Sequence, residues 1–467
     1  MADGAELAGA LETDAPRGPS EREIWFWGLC IFLLTSPFVY QLTGIDPSRE
    51  IARDMSTMRR TEGSGVLLYV LRVAVALAAM LSVAPYWRTA VTRLSRMTPI
   101  LLFAGWATLS LMWTDTFSST LNGLFALFPL IITGFCLALR LPPHLFARSF
   151  VYAGAFMIGF SLIYIFAMPH FGVHQQSDAA QSVHAGAWRG VYPHKNIFGG
   201  MCAAYAVTTM LAGRKVLPSI VFRIVQFALL MVMIVKSDSA TALAIVAATP
   251  FVVGAVLMTN AIQRTILALV IVPMFIVIYS QLETILGLFG RDMTFTGRTS
   301  IWEIAPDAIA KRPLTGFGYA STTYGDFMVE LFRRFALFDP HNGYLNIILS
   351  TGFIGLLLFV ATFVTAAIVA RRMYLVGGAT RAAAFTSFGI IVAWLIAMFS
   401  ESQDKPLGAF AALAYTSLGL LVYRNFAPAE EEVPGVGGIA EKPPKSYRLG
   451  KGARISTDPV PAIASSR

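Results

Sequence analysis

The chain has 467 residues, of which 56% are hydrophobic and 13% charged, and its mean hydropathy is +0.63. Its apolar residues form runs that are too long for the core of a soluble protein, so a soluble globular fold is excluded. The net charge of +9 comes from basic residues clustered between these runs. Membrane-insertion bias explains such clusters, so the charge gives no reason to expect a nucleic-acid partner.

The apolar runs predict an all-α fold, a polytopic bundle of about twelve transmembrane helices. Each run approaches the roughly 20 residues that a helix needs to cross about 30 Å of hydrocarbon. Residues 1–23 are polar and include acidic side chains, so we expect a cytoplasmic N-terminal tail followed by an uncleaved first span. The predicted bundle occupies residues 24–423, with spans near 24–43, 65–85, 99–113, 118–139, 149–168, 196–212, 219–236, 240–258, 265–282, 344–370, 382–400 and 407–423.

Basic residues predict the orientation of these spans. With a cytoplasmic N-terminus, four basic loops fall on the cytoplasmic side, as the positive-inside rule requires: Arg88, Arg93 and Arg96; Arg140 and Arg148; Arg214, Lys215 and Arg223; Arg371, Arg372 and Arg381. Residues 44–64 are the exception, an outer segment whose arginines are nearly balanced by acids. The C-terminal stretch 424–467 is rich in Pro, Lys and Arg, which predicts a disordered basic cytoplasmic tail.

Cysteine chemistry is not expected to contribute to function. The three cysteines lie inside apolar runs, where a thiol serves as a small packing residue: Cys30, Cys136 and Cys202. Neither a disulfide framework nor a zinc site is indicated.

Two predicted outer segments, 169–195 and 283–343, are much longer than the roughly two to eight residues that commonly join helices in a bundle. The first ends in WRGVYPHKNIFGG, which places Arg189, His194, Lys195 and Asn196 just before a span. A structural interpretation remains open, in which the two cations anchor a helix end at the headgroups and Asn196 caps the next helix.

The second outer segment contains TGRTSIWEIAPDAIAKRPLTGFGYAS, residues 296–321. Ser300 and Glu303 have capping-box spacing, which predicts a short helix beginning near Thr299. Arg298 would then lie at the helix N-terminus, where backbone N–H groups and a guanidinium together suit a phosphate. The alternative is a surface ion pair between Arg298 and Glu303 or Asp292.

The same segment ends in FDPHNGYLNIILSTGFIGLL, residues 338–357, with one histidine in a polar turn before a span. Asp339-Pro340 favours a turn, and Asn342 or Asn346 could cap the following helix, so the turn has a structural use without catalysis. A functional interpretation gains weight because His341, Arg298 and Arg189 all fall on one predicted side of the membrane.

These segments together resemble the O-antigen ligase and polymerase superfamily, over roughly residues 185–360. The resemblance rests on GRTSIWEIAPDAIAKRPLTGFGY followed by HNGYLNIILSTGFIGLLLF, and on RGVYPHKNIFGG, which is similar to the exopolysaccharide polymerase branch. In SDSATA, residues 237–242, Asp238 stands where family members tend to carry Arg, so no phosphate-binding role is transferred to that segment.

The resemblance implies a bacterial inner-membrane protein that handles glycans carried on undecaprenyl pyrophosphate at the periplasmic face. It implies that Arg189 and Arg298, helped by Lys195, hold the pyrophosphate while His341 stands at the acceptor hydroxyl. The matching motifs suggest supporting roles for the following residues: His194, Asn196, Trp302, Asn342 and Tyr344.

The expected function is therefore a polysaccharide polymerase that transfers a lipid-linked glycan onto a second lipid-linked repeat unit, with inversion at the anomeric carbon. A ligase that uses lipid A core or protein as acceptor remains open, and so does a multi-span transporter or flippase. The predicted outer segments contain no Asp-x-Asp pair or metal-ligand cluster, so we expect neither metal nor cofactor. Expected partners are the lipid-linked glycan, the bilayer, and a chain-length regulator or flippase.

Overall fold

The computed structural model describes residues 19–36, 65–178, 182–258, 302–335, 340–399 and 408–425, together with positions 260, 262, 263, 265 and 269. All regular structure in these residues is helical, and their one strand-like feature is an isolated antiparallel bridge between Val173 and Trp188. The predicted all-α class is confirmed for this part of the chain.

Thirteen helices of the described part carry labels below. They are α1 Glu21–Thr35, α2 Gly65–Val83, α3 Thr98–Leu109, α4 Phe117–Arg140, α5 Pro143–Phe166, α6 Lys195–Leu211, α7 Ile220–Lys236, α8 Ala240–Leu257, α9 Ala305–Lys311, α10 Phe327–Phe335, α11 Gly343–Val376, α12 Gly378–Ala397 and α13 Ala409–Ser417. Two further α-helices cover Trp87–Leu94 and Pro169–Gly172, and single 3₁₀ segments cover Ala84–Tyr86, Ser95–Met97, Ser110–Met112, Ser182–His184 and Leu418–Asn425.

Six helical stretches of the described residues are long and apolar enough to cross a membrane: Leu67–Met112, Phe117–Arg140, Pro143–Phe166, Ala240–Leu257, Gly343–Val376 and Gly378–Ala397. The predicted count of twelve is therefore not confirmed. The predicted spans 65–85 and 99–113 fall within one helical stretch, and α1, α6 and α7 have only 15, 17 and 17 residues. The predicted span 265–282 lies almost wholly outside the described residues.

Helix α1 begins at Glu21, inside the stretch 1–23 that was predicted to be a tail. The Ser20 side chain accepts a hydrogen bond from the Glu23 backbone N–H at 3.2 Å and so caps the helix. Two glutamates in the first turn also suit the positive end of the helix dipole. Because of this cap, the helix begins a few residues before the apolar run.

The basic loops gather at one end of the bundle, called the basic end below. There, Arg148 pairs with Glu21 at 3.0 Å, and Arg140 pairs with Glu23 at 3.0 Å. Further contacts join the same end through backbone carbonyls: Arg148 to Val216, Arg223 to Ala212, Arg371 to Val256, Arg96 to Val422 and the Tyr423 hydroxyl to Leu141. The positively charged turns of separate helix pairs therefore share one face of the bundle.

The opposite end, called the loop end below, collects the starts of α6, α8, α11 and α13 and the ends of α7 and α12. Helices α6 and α12 run antiparallel, because Gly213 after α6 packs on Ala382 near the start of α12. At the other end of α12, the Met398 carbonyl accepts from the Gly343 N–H at 2.8 Å, which brings the start of α11 to the same end. Gly200 at the start of α6 packs on Phe410 in α13.

Helix α11 is broken at Gly352, whose φ of 66° and ψ of −172° are not helical. Residues 313–318, the strap below, fill the break. Phe317 N–H donates to the Leu349 carbonyl at 2.8 Å, Gly318 N–H donates to the Ser350 carbonyl at 2.9 Å, and the Pro313 carbonyl accepts from Phe353 at 2.8 Å. The strap thus satisfies backbone groups that the break releases, as buried backbone requires. The stretch GFGY, residues 316–319, thus has a structural use in filling the break.

Candidate functional site

The described residues of the segment 169–195 fold back on one another at the loop end. After the helix Pro169–Gly172, the His174 N–H donates to the Ala187 carbonyl at 2.9 Å, and the Gly186 N–H donates to the His174 carbonyl at 2.9 Å. The Trp188 N–H then donates to the Lys236 carbonyl at the end of α7, also at 2.9 Å. This hydrogen-bonded hairpin places Arg189 beside the loop end.

Arg189 braces this loop from inside and is only 4% exposed. Its Nη1 lies 3.2 Å from the Asp178 carboxylate, its Nε donates to the Phe171 carbonyl at 2.8 Å, and its Nη2 donates to the His170 carbonyl at 2.9 Å. Each guanidinium nitrogen therefore has a partner within the loop. The predicted contact of Arg189 with a pyrophosphate remains a prediction, and the structure gives the residue a separate use as a brace.

Asp178 and His174 join the brace to α6, and sequence reasoning missed both. His174 Nδ1 lies 3.3 Å from the Asp178 carboxylate, and its Nε2 accepts the Lys195 backbone N–H at 3.1 Å. Burial and the Arg189 charge lower the pKa of His174 to about 4, and the acceptor carboxylate offsets part of this effect. The ring is therefore neutral near pH 7 and acts as a hydrogen-bonding link.

His194 forms the N-cap of α6, which corrects the expectation that Asn196 would do so. The His194 Nδ1 accepts the Asn196 backbone N–H at 3.1 Å, because the helix begins at Lys195 and leaves Asn196 inside the first turn. His174, His184 and His194 have ring centroids 5.3 to 5.8 Å apart. Across the described residues, no group of three His, Cys, Asp or Glu side chains is arranged to hold a metal ion.

Lys195 is paired with Asp238, the residue between α7 and α8. The Nζ lies 2.6 Å from the Asp238 carboxylate and 3.2 Å from its carbonyl oxygen. The Lys195 side chain is 6% exposed and that of Asp238 is 72% exposed, so the carboxylate covers the outer side of a buried ammonium. Asp238 adopts a φ of 48°, which is uncommon for a non-glycine residue.

His341 stands on a fixed turn at the loop end. It is half-buried and adopts a φ of 51°. On one side the Trp302 Nε1 donates to the Pro340 carbonyl at 3.1 Å, and on the other the Asn342 Oδ1 accepts the Leu345 N–H at 3.0 Å. Asn342 is thus the N-cap of α11, one of the two caps that the sequence allowed. These bonds set the backbone from which the imidazole projects.

Tyr344 ties the same turn to α12. Its hydroxyl donates to the Leu395 carbonyl at 2.7 Å, next to the hydrogen bond between Gly343 and Met398. The start of α11 is therefore held against the end of α12, which in turn packs along α6. Through this helix pairing, the His341 turn and the Lys195 turn lie at the same end of the bundle.

Arg298 and Ser300 lie outside the described residues, as does the predicted helix start near Thr299. The helix that the structure describes in this region is α9, Ala305–Lys311, in which Ala305 and Ala308 are buried. Just after it, Arg312 pairs with Asp115 at 3.0 Å and donates to the Trp113 carbonyl at 2.9 Å. This ion pair anchors the strap to the segment between α3 and α4.

A family model described as O-antigen ligase matches residues 224–360. The match includes Trp302, the strap and the His341 turn, whereas the loop from Arg189 to Asn196 lies before it. The exopolysaccharide production protein ExoQ of Rhizobium meliloti is 36% identical to this chain over 91 residues. That alignment covers 18% of this chain and 21% of the relative, so the chain matches about a fifth of the relative's length.

The apolar helices indicate a multi-pass membrane protein, and the two similarities show that part of the chain resembles O-antigen ligase and exopolysaccharide production proteins. The resemblance that the sequence motifs predicted is confirmed: the chain carries an O-antigen ligase region and is similar to the exopolysaccharide branch of the O-antigen ligase and polymerase superfamily.

Proposed function

We propose that the protein is a polysaccharide polymerase of the bacterial inner membrane. It transfers a glycan from undecaprenyl pyrophosphate onto a sugar hydroxyl of a second lipid-linked repeat unit, and the reaction takes place at the periplasmic face. The loop end is the periplasmic end in this proposal, because the opposite end carries the clustered basic loops that favour the cytoplasm.

One observation carries the proposal. His341 lies within the O-antigen ligase match, on a turn braced by Trp302 and Asn342, and at the same end of the bundle as Lys195. A proton acceptor and a cation at one end of a membrane bundle suit a reaction between two lipid-anchored sugars. The 36% identity to an exopolysaccharide production protein favours a polymerase over other members of the superfamily.

The chemistry follows from the leaving group. The acceptor hydroxyl oxygen attacks the anomeric carbon and forms the new glycosidic bond. The bond from that carbon to the pyrophosphate oxygen breaks, and the electron pair leaves with undecaprenyl pyrophosphate. His341 takes the hydroxyl proton, a contribution of roughly 10²–10⁴-fold in rate. Direct attack from the opposite face inverts the anomeric centre.

Cations stabilise the negative charge that develops on the departing pyrophosphate. We assign this role to Arg298, whose guanidinium fork suits phosphate oxygens, and to the Lys195 ammonium. The Asp238 carboxylate occupies the exposed side of that ammonium, so a phosphate would have to replace it. Arg189 contributes by holding the loop that positions Lys195, and a direct phosphate contact requires it to exchange the Asp178 partner.

The test is reconstitution of the full-length protein in lipid vesicles with a lipid-linked repeat unit. His341→Ala should lower the rate of polymer formation by roughly 10²–10⁴-fold, with folding checked by thermal unfolding. His144→Ala is the matched control, because His144 follows Arg140 at the basic end and is also partly buried. Equal activity of the two variants would overturn the assignment of His341.

Deletion of the gene separates the polymerase from the ligase, the alternative that the family description favours. Loss of a polymerase leaves single repeat units on the lipid carrier or on the core. Loss of a ligase leaves full-length polymer unattached to core. The second pattern would refute the polymerase while keeping the transferase chemistry.

A further inference from the structure

A short helix at the basic end, Trp87–Leu94, is unusually exposed for a connection between two apolar helices. It joins α2 to α3 through the 3₁₀ segments Ala84–Tyr86 and Ser95–Met97. None of its eight residues is buried. Trp87, Val91 and Leu94 are 60%, 64% and 44% exposed, so the helix presents its large apolar side chains outward.

The eight residues WRTAVTRL divide into two faces. At 100° per residue, Trp87, Val91 and Leu94 lie within about 60° of one another, and Ala90 extends the same stripe. The polar face carries the two threonines, and the arginines Arg88 and Arg93 lie at its two edges. The Arg88 guanidinium stacks over the Trp87 ring at 5.6 Å, which places one charge directly beside the apolar face.

Exposed apolar residues flank this helix on both sides along the chain. Leu77 and Leu81, on the last turns of α2 before this helix, are 50% and 73% exposed. Leu102 on the first turns of α3 is 54% exposed. The exposed stripe of Trp87–Leu94 therefore lies between two apolar surfaces that belong to a membrane-crossing stretch. A folded water-soluble partner does not suit such a position, but the edge of the bilayer does.

We propose that Trp87–Leu94 lies in the plane of the membrane surface, with its apolar stripe among the acyl chains, and that Arg88 and Arg93 bind the phosphates of anionic phospholipids. A short amphipathic helix with tryptophan on one face and arginine at the edges has the composition that the interface favours. Charge complementarity selects anionic over zwitterionic headgroups. Arg96 is not part of this surface, since its guanidinium donates to the Val422 carbonyl. The proposal does not depend on the catalytic function.

A fluorophore on the helix tests the proposal directly. Val91→Cys in the full-length protein is labelled with an environment-sensitive thiol dye, and the protein is placed in nanodiscs. Cys30, Cys136 and Cys202 are buried, so they do not compete for the label. Thr89→Cys on the polar face is the matched control. The quenchers are lipids brominated on the acyl chain, either phosphatidylglycerol or phosphatidylcholine at equal mole fraction.

Both brominated lipids should quench the dye at position 91 more than the dye at position 89. Brominated phosphatidylglycerol should quench position 91 more strongly than brominated phosphatidylcholine, and Arg88→Gln with Arg93→Gln should abolish this difference. Each arginine near the surface raises the affinity for anionic lipid about fivefold, so the double variant should bind anionic lipid roughly 25-fold more weakly.

Two results would overturn the proposal. Equal quenching at positions 91 and 89 means that the apolar face is not in the membrane. Absence of quenching at position 91 has the same meaning, and it is the result expected if a second protein covers the face. Equal quenching by the two brominated lipids in the protein with both arginines means that the helix inserts without binding anionic headgroups.

Discussion

Replacement of Gly352 by alanine tests whether the strap holds the start of α11, and with it the His341 turn. The φ of 66° and ψ of −172° belong to a region that only glycine adopts readily, so alanine costs about 1–3 kcal/mol in backbone strain. An alanine Cβ would also lie 2.2 Å from the Leu314 carbonyl oxygen and 2.6 Å from the Thr315 nitrogen. Relief of this overlap moves the strap and costs about 1–3 kcal/mol more. The expected loss is about 2–6 kcal/mol in the free energy of unfolding.

The assay uses the three native thiols. Cys30, Cys136 and Cys202 are buried in the folded protein, so a thiol-reactive dye reports unfolding as it gains access to them. Gly352→Ala should lower the unfolding midpoint by at most roughly 2–4 °C for each kcal/mol lost in the free energy of unfolding. This is the shift found for domains of about 150–250 residues, and the shift is smaller for larger chains. The variant should also lose transferase activity, because Phe317 and Gly318 bond to Leu349 and Ser350 in the first segment of α11.

Two glycines serve as controls. Gly105 lies in α3, where an alanine Cβ would meet no atom within 4 Å outside its own stretch of helix, so Gly105→Ala should leave the midpoint unchanged or raise it slightly. Gly378 has a φ of 52° and the same open surroundings, so Gly378→Ala measures backbone strain alone, at about 1–2 kcal/mol. A Gly352→Ala midpoint no lower than that of Gly378→Ala would refute the packing role of the strap.

Three further predictions concern the loop above α6. Asp178→Asn and Arg189→Gln should each lower the thermal midpoint, since removing one partner of a buried ion pair costs about 3–5 kcal/mol, and fully additive effects in the double variant would contradict the pair. Asp238→Asn removes the carboxylate beside the Lys195 ammonium and should lower the KM for the lipid-linked donor by up to about fivefold. The limit is about fivefold because an ion pair with so exposed a partner contributes about 1 kcal/mol or less. A higher KM would contradict the idea that Asp238 and phosphate compete for Lys195. The pKa of His174 is about 4 in the folded loop, below its ordinary value of 6.5, so the unfolded loop binds the extra proton and loop stability falls as the pH drops from 6.5 towards 4. A cysteine in place of the buried Val191 should then react faster with dithiodipyridine over that interval, and His174→Gln should remove the pH dependence.

Features that depend on neighbours within a few residues could be predicted from the sequence. The all-α class follows from uninterrupted apolar runs, and the Asn342 cap follows from an asparagine in the turn before such a run. The basic loops, predicted to share one side, collect at one end of the bundle. The O-antigen ligase resemblance was visible because its motifs are contiguous stretches.

Pairings between distant residues could not be predicted in this way. Lys195 meets Asp238 across 43 positions, and the strap enters the break at Gly352 from a segment about 35 residues earlier. The N-cap of α6 is His194 and not the expected Asn196. Both residues can accept the capping hydrogen bond, and the loop that Arg189 holds decides where the helix begins.

The sequence by itself determined that this chain forms apolar helices with basic turns and polar motifs beside their ends, because hydropathy and capping are local properties. Only the tertiary structure decided that Arg189 is satisfied inside its loop, that Asp238 covers Lys195, and that the His341 turn stands at the same end of the bundle. Antiparallel packing of α6, α12 and α11 sets which distant charges meet, and a buried charge must take the partner that this packing supplies.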